Sequence, residues 1–197
     1  MCDQKLPGRG GVWKRVVRRR RRGKKCGLRS LHKVKGVWWN ARGLEDQLEL
    51  TQEYMVEKGI AFGCFCETKV YGTDLCHGDE VWKWFAGPEV LPALGKAMPN
   101  MGLGIMVRKD RFPSANIVRK GEYTVWVRLP GSPLDAYICA AYVPVYARLK
   151  MNALQEIVAG CDEFREKGVV LVGGDLNVRC GCNGDPVTNS HGNAVLK

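Results

Sequence analysis

The sequence predicts an α/β body of layered sheets and helices behind a basic N-terminal arm. Three observations predict it. Short strand-like runs are interleaved with two helical stretches, the pattern of sheets covered by helices. The run Val169-Val170-Leu171-Val172 is unbroken and apolar, as expected of a strand covered on both faces. Charge is segregated: residues 1–35 hold 14 of the 31 Lys and Arg but only one acid, Asp3, so they carry +13 of a net +11 and leave the body at −2.

In chain order, residues 1–35 read as the arm, with Gly and Pro early and then Arg18-Arg19-Arg20-Arg21-Arg22-Gly23-Lys24-Lys25. Such a block of like charge repels itself and stays unfolded until it meets a polyanion. The body, residues 36–197, opens with Val37-Trp38-Trp39 as a strand ending at Asn40. Residues 44–58 form a helix, because Leu44, Leu48, Thr51 and Met55 recur 4, 3 and 4 apart, and Gly59 stops it. Ile60 to Cys66 and Val81 to Ala86 are the next strands, followed by a Pro- and Gly-bearing loop over 87–100.

Gly102 to Arg108, Asn116 to Lys120, Thr124 to Leu129 and Ala136 to Val143 follow as strands between turn residues such as Pro130-Gly131-Ser132-Pro133. Residues 147–167 are an amphipathic helix with Leu154, Ile157, Val158, Cys161 and Phe164 on one face, ended by Gly168. The apolar run after it delivers Gly173-Gly174-Asp175-Leu176-Asn177 to the sheet edge.

Composition narrows the function classes. A chain of 197 residues with 45% hydrophobic and 26% charged residues suits one globular domain plus an appendage. No window approaches the ~18 apolar residues of a membrane span, and no apolar segment follows the basic start as a secretory signal requires. The nine cysteines are odd in number and show no C-x-x-C. Cys180-Gly-Cys182 is too close-spaced for a usual zinc knuckle, so reduced intracellular thiols are expected.

Polar residues close the apolar strands: Asn40, Glu67, Tyr142, then Asp175 and Asn177. Open α/β sheets place their sites at such strand ends. A carboxylate there is costly unless it is solvated, paired or bound to a cation. Glu67 and Asp175 together suit a hard divalent ion, which takes oxygen ligands and polarises a phosphoryl oxygen. Each residue alone has a plainer reading: Glu67 as a solvated turn residue, Asp175 as a turn former after two glycines, Tyr142 as packing before Val143-Pro144.

The ordered set, however, resembles the endonuclease/exonuclease/phosphatase superfamily, in the branch of non-LTR retrotransposon (reverse-transcriptase-linked) endonucleases. Trp39-Asn40-Ala41-Arg42-Gly43-Leu44 is similar to its first motif, and Cys66-Glu67-Thr68-Lys69 to its QET motif. Gly102-Leu103-Gly104-Ile105-Met106-Val107 resembles the glycine-rich strand of retroelement members, and Tyr142-Val143-Pro144 the Y-x-P motif. Gly174-Asp175-Leu176-Asn177 resembles G-D-F-N, and residues 188–193 the downstream segment of reverse-transcriptase-linked members.

The resemblance implies a four-layer α/β sandwich and a Mg²⁺-dependent DNA endonuclease, with Mn²⁺ as a substitute ion. It implies metal binding by Glu67 and Asn40, phosphate contact by Tyr142, water activation by Asp175 and phosphate support by Asn177. Cys66 and Leu176 depart from the usual Gln and Phe. The family's closing Ser-Asp-His motif has no counterpart before Lys197, and His191 reads as a loop residue. The expectation is therefore a C-terminally truncated copy, a fragment, or a chain completed by a partner.

Three functions remain in view: the endonuclease, a non-catalytic nucleic-acid-binding remnant of the same fold, and a phosphatase acting on a phosphoinositide or nucleotide. Arg18 to Arg22, Lys24 and Lys25 would neutralise nucleic-acid phosphates whatever the sequence, with Trp13 near enough to stack on a base. DNA is favoured over RNA as partner, no membrane is expected, and the same basic run suits nuclear import.

Overall fold

The apolar runs become eight strands and two helices in the computed structural model, which describes residues 34–70, 74–88, 102–145 and 147–177. The strands are β1 (Lys35–Asn40), β2 (Ile60–Cys66), β3 (Trp82–Ala86), β4 (Leu103–Arg108), β5 (Asn116–Lys120), β6 (Thr124–Leu129), β7 (Asp135–Tyr142) and β8 (Gly168–Asp175). The helices are α1 (Leu48–Glu57) and α2 (Ala147–Phe164). Among these residues no helix is long and apolar enough to cross a membrane.

Two four-stranded sheets form, ordered β1-β2-β4-β3 and β5-β6-β7-β8. Each carries one parallel pair at an edge, β1 with β2 and β7 with β8, and a parallel pair needs a crossover. Helices α1 and α2 are those crossovers. The sheets stack face to face, with Phe62, Cys64, Cys66, Ile105 and Val107 of the first sheet meeting Val125, Val127, Ile138 and Ala140 of the second. Helix α1 covers the outer face of the first sheet through Leu44, Met55, Phe65 and Trp84. Helix α2 covers the second through Phe164, Trp126, Tyr137 and Cys139. The layers thus run helix, sheet, sheet, helix: the four-layer sandwich.

Four sequence expectations are corrected. The helix expected from residue 44 begins as a 3₁₀ turn, Glu45–Gln47, because Leu44, at the cap position, offers no side-chain acceptor to the first amides. Helix α2 stops at Phe164, and Gly168 instead opens β8. On α2, Ala153, Gly160 and Phe164 form the buried face, while Val158 is 58% exposed.

Strand β8 is not covered on both faces. Its even-numbered residues Val170 and Val172 pack under α2, but Val169 and Leu171 remain 40% and 36% exposed. The reason is position, since β8 is the last strand of its sheet among the described residues. Each described cysteine is a free thiol; Cys64, Cys66, Cys76 and Cys139 are buried and Cys161 half-buried.

Candidate functional site

Both parallel pairs end at the same edge of the sandwich, so four strand ends converge. In the first sheet Asn40 lies in register with Cys66. The pairing continues past both ends, with Ala41 N–H to Cys66 O at 2.9 Å, Gly43 N–H to Glu67 O at 2.7 Å and Leu44 N–H to Thr68 O at 2.9 Å. Leu44 and Thr68 are buried and anchor this extension. Glu67 itself turns to a left-handed backbone, φ 53°.

In the second sheet Tyr142 lies in register with Asp175. Gly174 has φ +145° and sits so close to the Ala141 carbonyl that a Cβ there would overlap it. Glycine thus lets β8 close on β7 one residue before Asp175. Beyond the strand Val143 N–H bonds Asp175 O at 2.9 Å, and Asn177 folds back in a left-handed conformation, φ 49°. Asn177 N–H donates to Asp175 Oδ1 at 2.9 Å and its Nδ2 to Val143 O at 2.8 Å.

Across the seam the two sheets are tied directly. Asn40 Nδ2 donates to Asp175 Oδ2 at 2.9 Å. Beneath that bond the buried Cys66 thiol donates to Ala141 O at 3.2 Å and accepts from Asp175 N–H at 3.4 Å. Burial pushes this thiol up to about 12, the charges of Asp175 and Glu67 adding to the shift while the Asp175 amide opposes it. The Tyr142 phenol is also held above its ordinary value, first by burial and then by Glu67 and Asp175, against a side-chain hydrogen bond with Asn177. Glu67 and Asp175 therefore act on the same two groups. Both carboxylates thus lie within electrostatic reach of Cys66 and Tyr142, at the same end of the sandwich.

Asn40, Glu67, Tyr142, Asp175 and Asn177 are thus brought together. Asn40 Oδ1 is buried and has no hydrogen-bond partner. An orphaned buried acceptor costs about 1–3 kcal/mol unless something meets it. No group of three His, Cys, Asp or Glu able to hold a metal exists among the described residues. The available oxygen donors are two carboxylates and this amide, a set suited to an ion that keeps several waters. Sequence reasoning missed the Cys66 bridge and the direct Asn40–Asp175 bond, and no local pattern announces either. Arg18 to Arg22, Lys24, Lys25, Cys180, Cys182 and His191 lie outside the described residues.

No protein-family model matches the chain, and no curated protein sequence does. Solved structures do match. The endonuclease domain of TRAS1, a telomere-specific non-LTR retrotransposon, superposes with a TM-score of 0.58 at 15% identity, over 83% of this chain and 68% of that one. TDP2 of D. rerio, complexed with a single-strand DNA product, gives 0.54 at 16% identity, over 77% and 65%. The AP endonuclease LMAP from Leishmania major gives 0.54 at 14%, over 74% and 55%. The chain spans about two thirds or less of each of these structures, and at such identities the likeness is one of fold.

Proposed function

We propose that this chain, whose fold is that of the endonuclease/exonuclease/phosphatase superfamily, is a divalent-metal-dependent phosphodiesterase of endonuclease type, retroelement-derived and acting on DNA. The single observation that carries the reading is the meeting at the seam: Asn40 Nδ2 bonded to Asp175 and its amide oxygen Oδ1 orphaned, with the charge of Glu67 felt at the adjoining Tyr142. Glu67 and Asn40 Oδ1 are the residues that would hold Mg²⁺, or Mn²⁺ in its place. The ion, when bound, supplies a Lewis acid for a phosphoryl oxygen and offsets charge in an in-line displacement.

The chain's own groups do the rest. The carboxylate of Asp175 is fixed at both oxygens, by Asn40 Nδ2 and by Asn177 N–H, so it orients one attacking water and accepts its proton. Tyr142, its phenol held protonated, donates a hydrogen bond to a non-bridging phosphate oxygen. Asn177 keeps that tyrosine and Val143 in place. DNA as substrate is supported by the names of the structural neighbours, and the retroelement origin by the ordered motifs. The basic arm adds sequence-independent phosphate binding and suits a nuclear protein.

A purified-protein nicking assay on supercoiled DNA in Mg²⁺ tests this. Glu67→Ala lowers nicking at least ~100-fold, since the residues act as one cooperative set. Metal-dependent nicking that survives the substitution sinks the assignment. A second reading, a nucleic-acid-binding protein without turnover, is favoured by one observation. The one histidine among the described residues, His77, lies in the turn before β3 rather than at the site. Salt-sensitive DNA binding with no cleavage at any metal concentration selects that reading.

A further inference from the structure

Four non-glycine residues among those described have positive φ: Arg42 (51°), Glu67 (53°), Lys69 (58°) and Asn177 (49°). All four lie at the site end of the sandwich. Left-handed backbone is unfavourable for residues with a Cβ, and such outliers gather where a side chain is needed in a fixed place. Asn177 is the type that tolerates it best. Glu67 has its use in the site. Arg42 and Lys69 have none yet, although glycine or asparagine would relieve both positions.

Their placement is regular. Arg42 stands two residues past Asn40, and Lys69 two past Glu67, on the extensions of two neighbouring parallel strands. The Lys69 stem runs over Gly43, its Cδ 3.7 Å from where a Cβ would be, which brings it alongside the residue next to Arg42. Neither lip is loose. The bonds from Ala41, Gly43 and Leu44 hold one, and Thr68 N–H to Gly102 O at 3.2 Å holds the other.

Both side chains are exposed, and neither makes an ion pair with a described residue, whereas Arg108, Arg119, Arg128 and Arg165 each hold a carboxylate. Two cations flanking two carboxylates leave the rim neutral, so a phosphate can approach Glu67 and Asp175 without net repulsion.

We propose that Arg42 and Lys69 form a phosphate-binding pair at the rim of the site, engaging a non-reacting phosphodiester of the nucleic-acid backbone beside the one at Glu67 and Asp175. The pair rests on the phosphodiesterase reading, and it sets where the strand lies, not which base is chosen. The charged ends stand in water at fixed origins, which suits one-for-one neutralisation of backbone phosphates.

The test uses the full chain and a short DNA duplex, with affinity measured by fluorescence anisotropy in EDTA across a salt series. Arg42→Asn with Lys69→Asn removes both charges and keeps a residue that accepts left-handed backbone. The slope of log affinity against log salt becomes shallower by about 0.9–1.8, as the pair neutralises one phosphate or two. Affinity at low salt falls about tenfold or more, and the melting temperature is unchanged or higher. The charge-preserving pair Arg42→Lys with Lys69→Arg restores the slope.

An unchanged slope, or a loss accompanied by a lower melting temperature, overturns the proposal. Nicking in Mg²⁺ is read separately on the parent chain. A shallower slope without parental nicking keeps the phosphate pair and removes the phosphodiesterase reading, whereas nicking with an unchanged slope removes the pair alone.

Discussion

Replacing Gly173 with alanine tests how the two sheets are held at the site. Trp38 of β1 lies over Gly173 of β8, and a Cβ there would stand 2.5 Å from the indole Cγ and closer still to Cδ1 and Nε1. The ring's other neighbour, Phe62, meets it edge-on at 5.6 Å and 86°, and is itself pressed against Gly36. Its Nε1 donates to Cys139 O at 3.3 Å, a bond that a shifted indole gives up.

Overpacking of this kind costs about 1–3 kcal/mol, and the lost bond about 1 kcal/mol more. The sum, about 2–4 kcal/mol, corresponds to a fall in melting temperature of roughly 4–16 °C for a domain of this size. Because Trp38 and Gly173 each precede the Asn40–Asp175 bond by two residues, the same shift opens the seam and weakens Mn²⁺ binding. Thermal unfolding by circular dichroism and Mn²⁺ titration are the assays. Trp38→Leu, added to Gly173→Ala, relieves the collision and recovers stability. A single variant that melts within about 1 °C of the parent, or a double variant no better than the single, refutes the reasoning.

Other outcomes follow from the same geometry. Tyr142→Phe lowers nicking by about 10–100-fold, as expected for loss of one transition-state donor, with a melting temperature within a few degrees of the parent. Glu156→Ala destabilises by about 1–3 kcal/mol in urea titration, because its carboxylate receives Tyr123 N–H and Thr124 Oγ1 of two buried residues at 2.9 and 3.1 Å, besides the exposed Glu122 N–H at 2.9 Å.

Alkaline pH unfolds the protein earlier than exposed thiols would require. Burial holds Cys64 and Cys139 well above the ordinary 9.0, and Cys66 at about 12, so the folded chain keeps protons that the unfolded chain releases. That stability is complete below pH 9 and is lost as pH climbs toward 12, by up to about 1.4 kcal/mol per unit per thiol. Urea midpoints between pH 8 and 11 measure it, and Cys139→Ala flattens the fall.

Much of this architecture was legible in the sequence, for identifiable reasons. The strands are short, apolar and punctuated, so Ile60–Cys66 and Thr124–Leu129 follow from composition alone. Polar residues that interrupt apolar runs, such as Asn40 and Asp175, stand out because a buried strand end tolerates few of them. Spatial order was not legible. The run Val169–Val172 has the composition of a doubly covered strand, yet its place at the end of a sheet leaves Val169 and Leu171 open. Val158 has the right spacing for the α2 face, but the helix rotates so that Ala153, Gly160 and Phe164 meet the sheet. The Cys66 thiol joins strands 75 and 109 residues away in sequence, and the left-handed Arg42 and Lys69 lie on strand extensions whose pairing no local pattern announces.

Each layer supplies half of the candidate site, Asn40 and Glu67 from one and Tyr142, Asp175 and Asn177 from the other. A ligand seated there acts as a rivet: it can be gripped only while the layers keep their alignment, so occupancy opposes their sliding apart. Ligand concentration and mechanical cohesion would thereby become linked variables, the molecule growing harder to unfold as the proposed site fills.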